Sequence, residues 1–143
     1  MRLTVGQLLE IHEANQMGAY SMNRILALMC GAALLAGCAQ RPEGVIEEFH
    51  RAVEDGQHDK AISKLSPQLT GMLGEEKLRA VLAKQTEEIA ACGGIADITT
   101  DLDGDKAVQR GTVSITYAGS CEPKTEKVKL VKMDDEWKIS ADK

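Results

Sequence analysis

Few side chains in this 143-residue sequence stand in a setting that would let them do chemistry. Asp101-Leu102-Asp103-Gly104-Asp105 places carboxylates at alternate positions, as a calcium loop does. Such a loop wants glycine at its sixth position and a bidentate glutamate at its twelfth. Counted from Asp101, those positions hold Lys106 and Thr112, so the run reads as an acidic hairpin tip. An isomerase-type site needs a carboxylate base facing an acid such as tyrosine. From residue 38 onward the one tyrosine is Tyr117, and Asp97 is the candidate base. Strand alternation puts Asp97 on a polar face and Tyr117 on an apolar one, which splits the pair. No serine or cysteine nucleophile sits in a recognisable setting, and no glycine-rich phosphate loop follows a strand. His50 and His58 read as solvated positions on helices. Lys124, Lys127, Lys129 and Lys132 form the one local basic feature. They suit anionic headgroups, lipopolysaccharide or an acidic partner, or else they keep an exposed strand from edge pairing. No catalytic residue, metal centre or cofactor is expected.

The cysteines carry more information. Residues 25–36 are a 12-residue apolar run with Arg24 before it and Gly37 and Cys38 after it. A spanning helix needs about 20 apolar residues. The run instead has the length of a secretory signal core, with its positive charge on the correct side. Leu35-Ala36-Gly37-Cys38 resembles the lipobox of bacterial lipoproteins. The resemblance implies cleavage between Gly37 and Cys38 and diacylglycerol on the Cys38 thiol. Often a third acyl chain, such as palmitate, joins the new amino group. The plainer alternative is a buried cysteine in a short core helix. Met22-Asn23-Arg24 is a normal signal start. Residues 1–21 therefore read as a non-native upstream extension and residues 22–37 as the signal peptide. Residues 38–41 are a short tether, and residues 42–143 a single domain. Ala39, in place of aspartate, resembles the sorting pattern of outer-membrane lipoproteins. The expected location is the bacterial envelope, facing the periplasm.

Composition narrows the function classes. The 106 residues from Cys38 onward are enough for one modest core and carry a net charge of -5. A nucleic-acid binder needs clustered Lys and Arg, so that class is excluded. Aromatic residues are 3% of the chain, which argues against a pocket that stacks sugars or bases.

In an oxidising compartment Cys92 and Cys121 are an even pair, and a disulfide is the leading reading. Two separately buried thiols, or half of a metal site, are the alternatives. Zinc would want two further ligands, and His50 and His58 lack the spacing. One consideration opposes the bridge. If Asp103-Gly104 is the hairpin turn, paired residue numbers add to 207 and Cys92 faces Ile115. Cys121 then lies six residues too far along. A bend at Gly111, or a detour at Gly93-Gly94, would be needed.

The elements that must position these groups follow from periodicity. Pro42 starts a helix whose apolar face is Val45, Ile46, Phe49, Ala52 and Val53, ended by Gly56. A second, short helix carries Ala61, Ile62 and Leu65 and stops at Ser66-Pro67. A third begins after Gly74, with Leu78, Val81, Leu82, Gln85 and Ile89 inward. The period then changes to two. Ala96, Ile98, Thr100 and Leu102 form one strand, and Val113, Ile115 and Tyr117 the next. Residues 127–133 make a third strand with a slip between its apolar pairs, and Trp137 and Ile139 a fourth. The fold class is α+β: three N-terminal helices packed on a curved four-stranded antiparallel sheet.

The order of these segments resembles the small lipoproteins whose domain adopts the nuclear-transport-factor-2-like cone. It is carried by residues 42–55, Asp59-Lys60-Ala61, Leu65-Ser66-Pro67, Val128-Lys129-Leu130-Val131-Lys132 and Trp137-Lys138-Ile139-Ser140. The resemblance implies a cone, often with a cavity, and no single activity. The turn Asp134-Asp135-Glu136 departs from it, since a glycine often precedes the tryptophan. The expected function is a non-catalytic binding or assembly module of the envelope, held to the membrane by acyl chains on Cys38. Its partner would be an envelope protein or a small apolar ligand. The alternatives are a small-ligand carrier and an enzyme using the cone cavity.

Overall fold

The computed structural model describes residues 40–141. Gly37, Cys38, the signal peptide and the upstream segment lie outside the described residues. The order of elements is α1 (Pro42–Glu54), α2 (His58–Ser63), α3 (Pro67–Leu73), α4 (Glu75–Ala91), β1 (Ile95–Gly104), β2 (Val108–Tyr117), β3 (Lys124–Met133) and β4 (Glu136–Ser140).

α1 forms for the reasons its sequence gives. Arg41 is extended at the N-cap, Pro42 occupies the first turn, and Glu43 faces the positive end of the helix. Val45, Ile46, Ala52 and Val53 are buried. Gly56, at φ +68°, ends the helix. The Gly56 N–H donates to Val53 O at 3.1 Å and the Gln57 N–H to Ala52 O at 2.8 Å, a Schellman closure.

Among the described residues four helices pack where three were expected. Ser66-Pro67 ends α2, but the same two residues begin α3. Ser66 Oγ accepts from the Leu69 N–H at 3.3 Å, and Pro67 takes the first helical position. A stop signal for one helix is a start signal for the next. Along α4, Leu78, Leu82 and Ile89 are buried, whereas Val81 is 46% exposed. Positions 78, 82, 85 and 89 fall within a narrow stripe, and 81 lies at its edge.

The sheet is open and antiparallel in the order β1-β2-β3-β4. Its first ladder differs from expectation. Leu102 pairs with Gly111 and Gly104 with Gln109, so paired numbers add to 213. Asp103-Gly104 does not turn the chain; β1 runs through it and Asp105 closes the loop. The Asp105 carboxylate accepts from the Ala107 N–H at 2.7 Å and from the Val108 N–H at 2.8 Å. A side chain that mimics a backbone turn thus outcompetes the Asp-Gly signal. A bulge between Ile95 and Asp97 leaves Ala96 exposed and puts Ile95 in the core. The slip expected in β3 is absent: the β2–β3 pairs keep one register from Val108 and Val131 to Ile115 and Lys124.

Curvature has a local cause at Gly111. A Cβ there would sit 1.8 Å from Asp101 O, so only glycine lets β1 and β2 approach this closely. The bent sheet wraps a single core that includes Ile46, Val53, Leu82, Val113, Ile115, Leu130 and Trp137. β4 also joins the helical layer to the sheet. The Ser66 N–H donates to Ile139 O at 2.7 Å and the Ile139 N–H to Lys64 O at 2.8 Å.

Asp134 and Asp135 make the β3–β4 turn at φ 48° and 64°, with Met133 paired to Glu136. Two left-handed residues are the hairpin geometry that favours glycine at the second position. The Asp135 carboxylate is fully exposed and 3.7 Å from Lys132, so it contributes little there. Asp135→Gly is therefore expected to raise stability by about 0.5–1 kcal/mol, read as a higher urea midpoint at unchanged slope.

Candidate functional site

The concave side of the sheet narrows to a cavity of about 40 Å³ lined by Phe49, His50, Gln85, Glu88, Ile89, Tyr117, Lys124 and Glu126. His50 reaches it from α1, because positions 46, 50 and 53 share one helical stripe. It is 9% exposed and not solvated as expected. The Phe49 ring stands edge-on to it, with centroids 5.2 Å apart. Burial lowers the pKa of His50; the Glu126 carboxylate opposes that shift and the Lys124 ammonium adds to it. His58 is half-buried, with Nε2 3.2 Å from Thr86 Oγ1.

β3 supplies the charged wall. Lys124 faces Ile115 and Glu126 faces Val113 across the ladder, so both side chains share the core-facing side of the strand. They form an ion pair at 2.5 Å. Bonding to Glu126 raises the pKa of Lys124. The four lysines are consequently not one patch. Lys127 and Lys129 occupy the opposite, outer face, and Lys132 lies 3.7 Å from Asp135 at the far end. β3 is also an inner strand; only its first half extends beyond β4, whose pairs begin at Lys129.

Asp97 is exposed on the outer face, away from Tyr117 in the cavity wall. The carboxylates near Tyr117 are Glu88 and Glu126, which sequence reasoning passed over. The signal was the parity of β3: even-numbered residues alternate with Lys127 and Lys129, and so point inward. A cavity of this volume holds water or a small ion, whereas small-molecule sites span about 300–1,000 Å³. Among the described residues no cluster of His, Cys, Asp or Glu is placed to hold a metal.

Two fastenings fix the cavity walls. Cys92, at the end of α4, is bonded to Cys121 in the loop after β2, with Cα atoms 5.4 Å apart. Beside it the backbones touch directly. The Gly119 N–H donates to Cys92 O and the Ala118 N–H to Gly94 O, both at 2.9 Å. A Cβ on Gly119 would lie 2.6 Å from Cys92 O, so this contact requires glycine. The second fastening is Arg51 and Glu54, also missed from sequence. The Ile95 N–H donates to the Glu54 carboxylate at 2.7 Å, and Arg51 donates to Ile95 O at 2.9 Å. Together they hold the bulged start of β1 against α1.

Two outcomes are expected. The disulfide closes a separation of 29 residues, worth about 3–4 kcal/mol in the chain-entropy model. The double variant Cys92→Ser/Cys121→Ser should lose about that much in urea unfolding, and unreduced wild type should resist alkylation at both thiols. For His50, the folded state holds the neutral form and the unfolded state titrates near 6.5. Stability is therefore full above that pH and falls as pH drops below it, levelling off below the folded-state pKa. The urea midpoint of wild type should decline between about pH 7.5 and pH 5.5, the range that spans an ordinary histidine. His50→Gln should flatten that part of the decline.

No family model and no curated protein matches this chain. Solved structures do. A Campylobacter jejuni protein, provisionally described as an NTF2-like transpeptidase, is similar with a TM-score of 0.62 at 18% identity. The match covers 72% of this chain and 100% of that one. An NTF-2 like protein of unknown function from Shewanella oneidensis is similar with a TM-score of 0.48 at 14% identity, over 68% and 93%. The four-stranded curved sheet with its helices on the concave side is thus an NTF2-like fold, which hosts diverse roles.

Proposed function

We propose that this protein is a lipid-anchored envelope lipoprotein whose NTF2-like domain acts as a non-catalytic binding or assembly module. The observation that carries the reading is the filled cone. The cavity left at its mouth is about 40 Å³, too small for a lipid tail or a metabolite. That disfavours a carrier and moves recognition to the outer surfaces. Envelope attachment rests on the Leu35-Ala36-Gly37-Cys38 sequence. Its close tether is supported by Gln40, two residues later, whose Oε1 accepts from the Trp137 N–H at 3.2 Å. A lipidated Cys38 would hold the domain against the membrane surface. A second reading, an enzyme, draws on His50, Tyr117 and Glu126 meeting at one cavity; it would need a rearrangement that enlarges that cavity.

Two acyl chains suffice for stable anchoring, at roughly 0.8 kcal/mol per buried methylene. Cys38→Ser should leave the detergent phase, while Cys30→Ser and deletion of residues 1–21 should not change partitioning. Normal membrane partitioning of Cys38→Ser would overturn the anchor. Crosslinking of the native protein in its envelope, read by mass spectrometry, should capture a protein partner on the outer surfaces.

A further inference from the structure

β1 is an edge strand. β2 pairs with one side of it and, among the described residues, no strand pairs with the other. The loop end of the ladder sets the direction of its backbone groups. The Asp105 N–H donates to Val108 O at 2.9 Å, and antiparallel pairs alternate between bonded and unbonded. Odd-numbered residues from Asp97 to Asp103 therefore exchange bonds with β2. Ile98, Thr100 and Leu102 turn their N–H and carbonyl groups to the open edge. At the bulge the order inverts. Ile95 faces the open edge, where Glu54 and Arg51 take its N–H and carbonyl. Among the described residues no group does the same for Ile98, Thr100 or Leu102. Such a row of unpaired backbone groups is a template for another strand.

The side chains say which strand fits. The pleat puts Ile98, Thr100 and Leu102 on the concave side, where Ile98 and Leu102 are half-buried against the core. Asp97, Thr99, Asp101 and Asp103 stand exposed on the convex side. Across the ladder Asp103 meets Arg110, whereas Asp97 meets Thr116 and Asp101 meets Thr112. Asp97 and Asp101 thus have no cation opposite them. The same charges disfavour a second copy as the occupant. β1 laid antiparallel on itself about Thr100 sets Asp97 against Asp103, and about Leu102 it sets Asp101 against Asp103. A strand with Lys or Arg beside the aspartates and apolar residues beside Ile98 and Leu102 matches both sides.

We propose that the open edge of β1 takes up a basic extended segment of a partner protein as an added antiparallel strand. Ile98, Thr100 and Leu102 supply the main-chain bonds, and Asp97 and Asp101 select cationic side chains. The inference deepens the binding-module reading and rests on it for the existence of a partner; it does not depend on the lipid anchor.

The test uses the full-length chain in non-ionic detergent and a blocked peptide of about seven residues that alternates Lys and Val. Binding is read by anisotropy of the labelled peptide and by amide exchange in NMR. In the free protein the amides of Ile98, Thr100 and Leu102 should exchange readily, while those of Thr99 and Asp101 are protected by the ladder. The peptide should bind with a Kd in about the micromolar range and slow exchange at the three even-numbered amides. Methylating its valine nitrogens, which face β1, leaves its charge unchanged and should weaken binding at least about tenfold. Replacing its lysines by glutamates should do the same. Asp97→Asn/Asp101→Asn should weaken binding about threefold or more, the worth of two exposed ion pairs, without altering the exchange pattern of the free protein. No binding of the Lys-Val peptide, equal binding of its methylated form, or protection elsewhere in the sheet would overturn the proposal. A partner captured by crosslinking while the peptide fails would remove the edge site and leave the binding-module reading standing. Peptide addition at this edge with no captured partner would support the edge site and count against that reading.

Discussion

The structure depends on one backbone contact, where the turn after α4 touches the loop after β2. Gly93, Gly94 and Gly119 bring the two chain segments within hydrogen-bond distance, and the Cys92–Cys121 bridge closes over them. This contact sets where β1 begins, and therefore its register against β2. The β1–β2 register shifts at the bulge, where Ile95 pairs with Tyr117, so the ladder by itself does not bring residue 92 opposite residue 121. The chain leaves the ladder at Gly93 and Gly94, both at positive φ, and that detour brings Cys92 to Cys121. The same junction holds the last turn of α4 against the end of β2, which are two walls of the cavity.

Around that junction the helices act as filling. The core is built from branched aliphatics and Trp137, with only one phenylalanine in the chain to help. Small side chains on α1, such as Ala52 and Val53, let the helix sit close to the sheet. Arg51 and Glu54 then use the one helical edge that meets β1 to satisfy both backbone groups of Ile95. The bulge beside Ile95 would otherwise leave those groups partly orphaned. Charged side chains here serve the backbone, and no buried side-chain polar atom among the described residues lacks a partner.

The two faces of the sheet then take different work. The concave face is packed down to a space of water size, with His50, Glu126 and Lys124 at its rim. The convex face is polar, with Thr112 and Ser114 along β2 and Arg110 between Asp103 and Lys129.

Much of this was legible in the amino-acid sequence. The helix at Pro42, the inner stripe of α4, the switch to period two and the four strands all follow from spacing, because burial on one face imposes that spacing. The pairing of Cys92 with Cys121 is the leading reading of an even pair of cysteines, and the fold brings their Cα atoms to 5.4 Å. What the sequence did not decide was competition between local signals. Asp103-Gly104 and Asp105 both offer a turn, and only the strand ends fastened by the disulfide select the second. Ser66-Pro67 is both an end and a beginning, and the bridge from Leu65 to Ile139 fixes where the chain goes next. His50 reads as polar on a helix, and only the sheet laid over it makes it buried. The lysines of β3 read as one patch until the pleat divides them between two faces. In each case local preferences were nearly balanced, and contacts between residues distant in sequence decided the outcome.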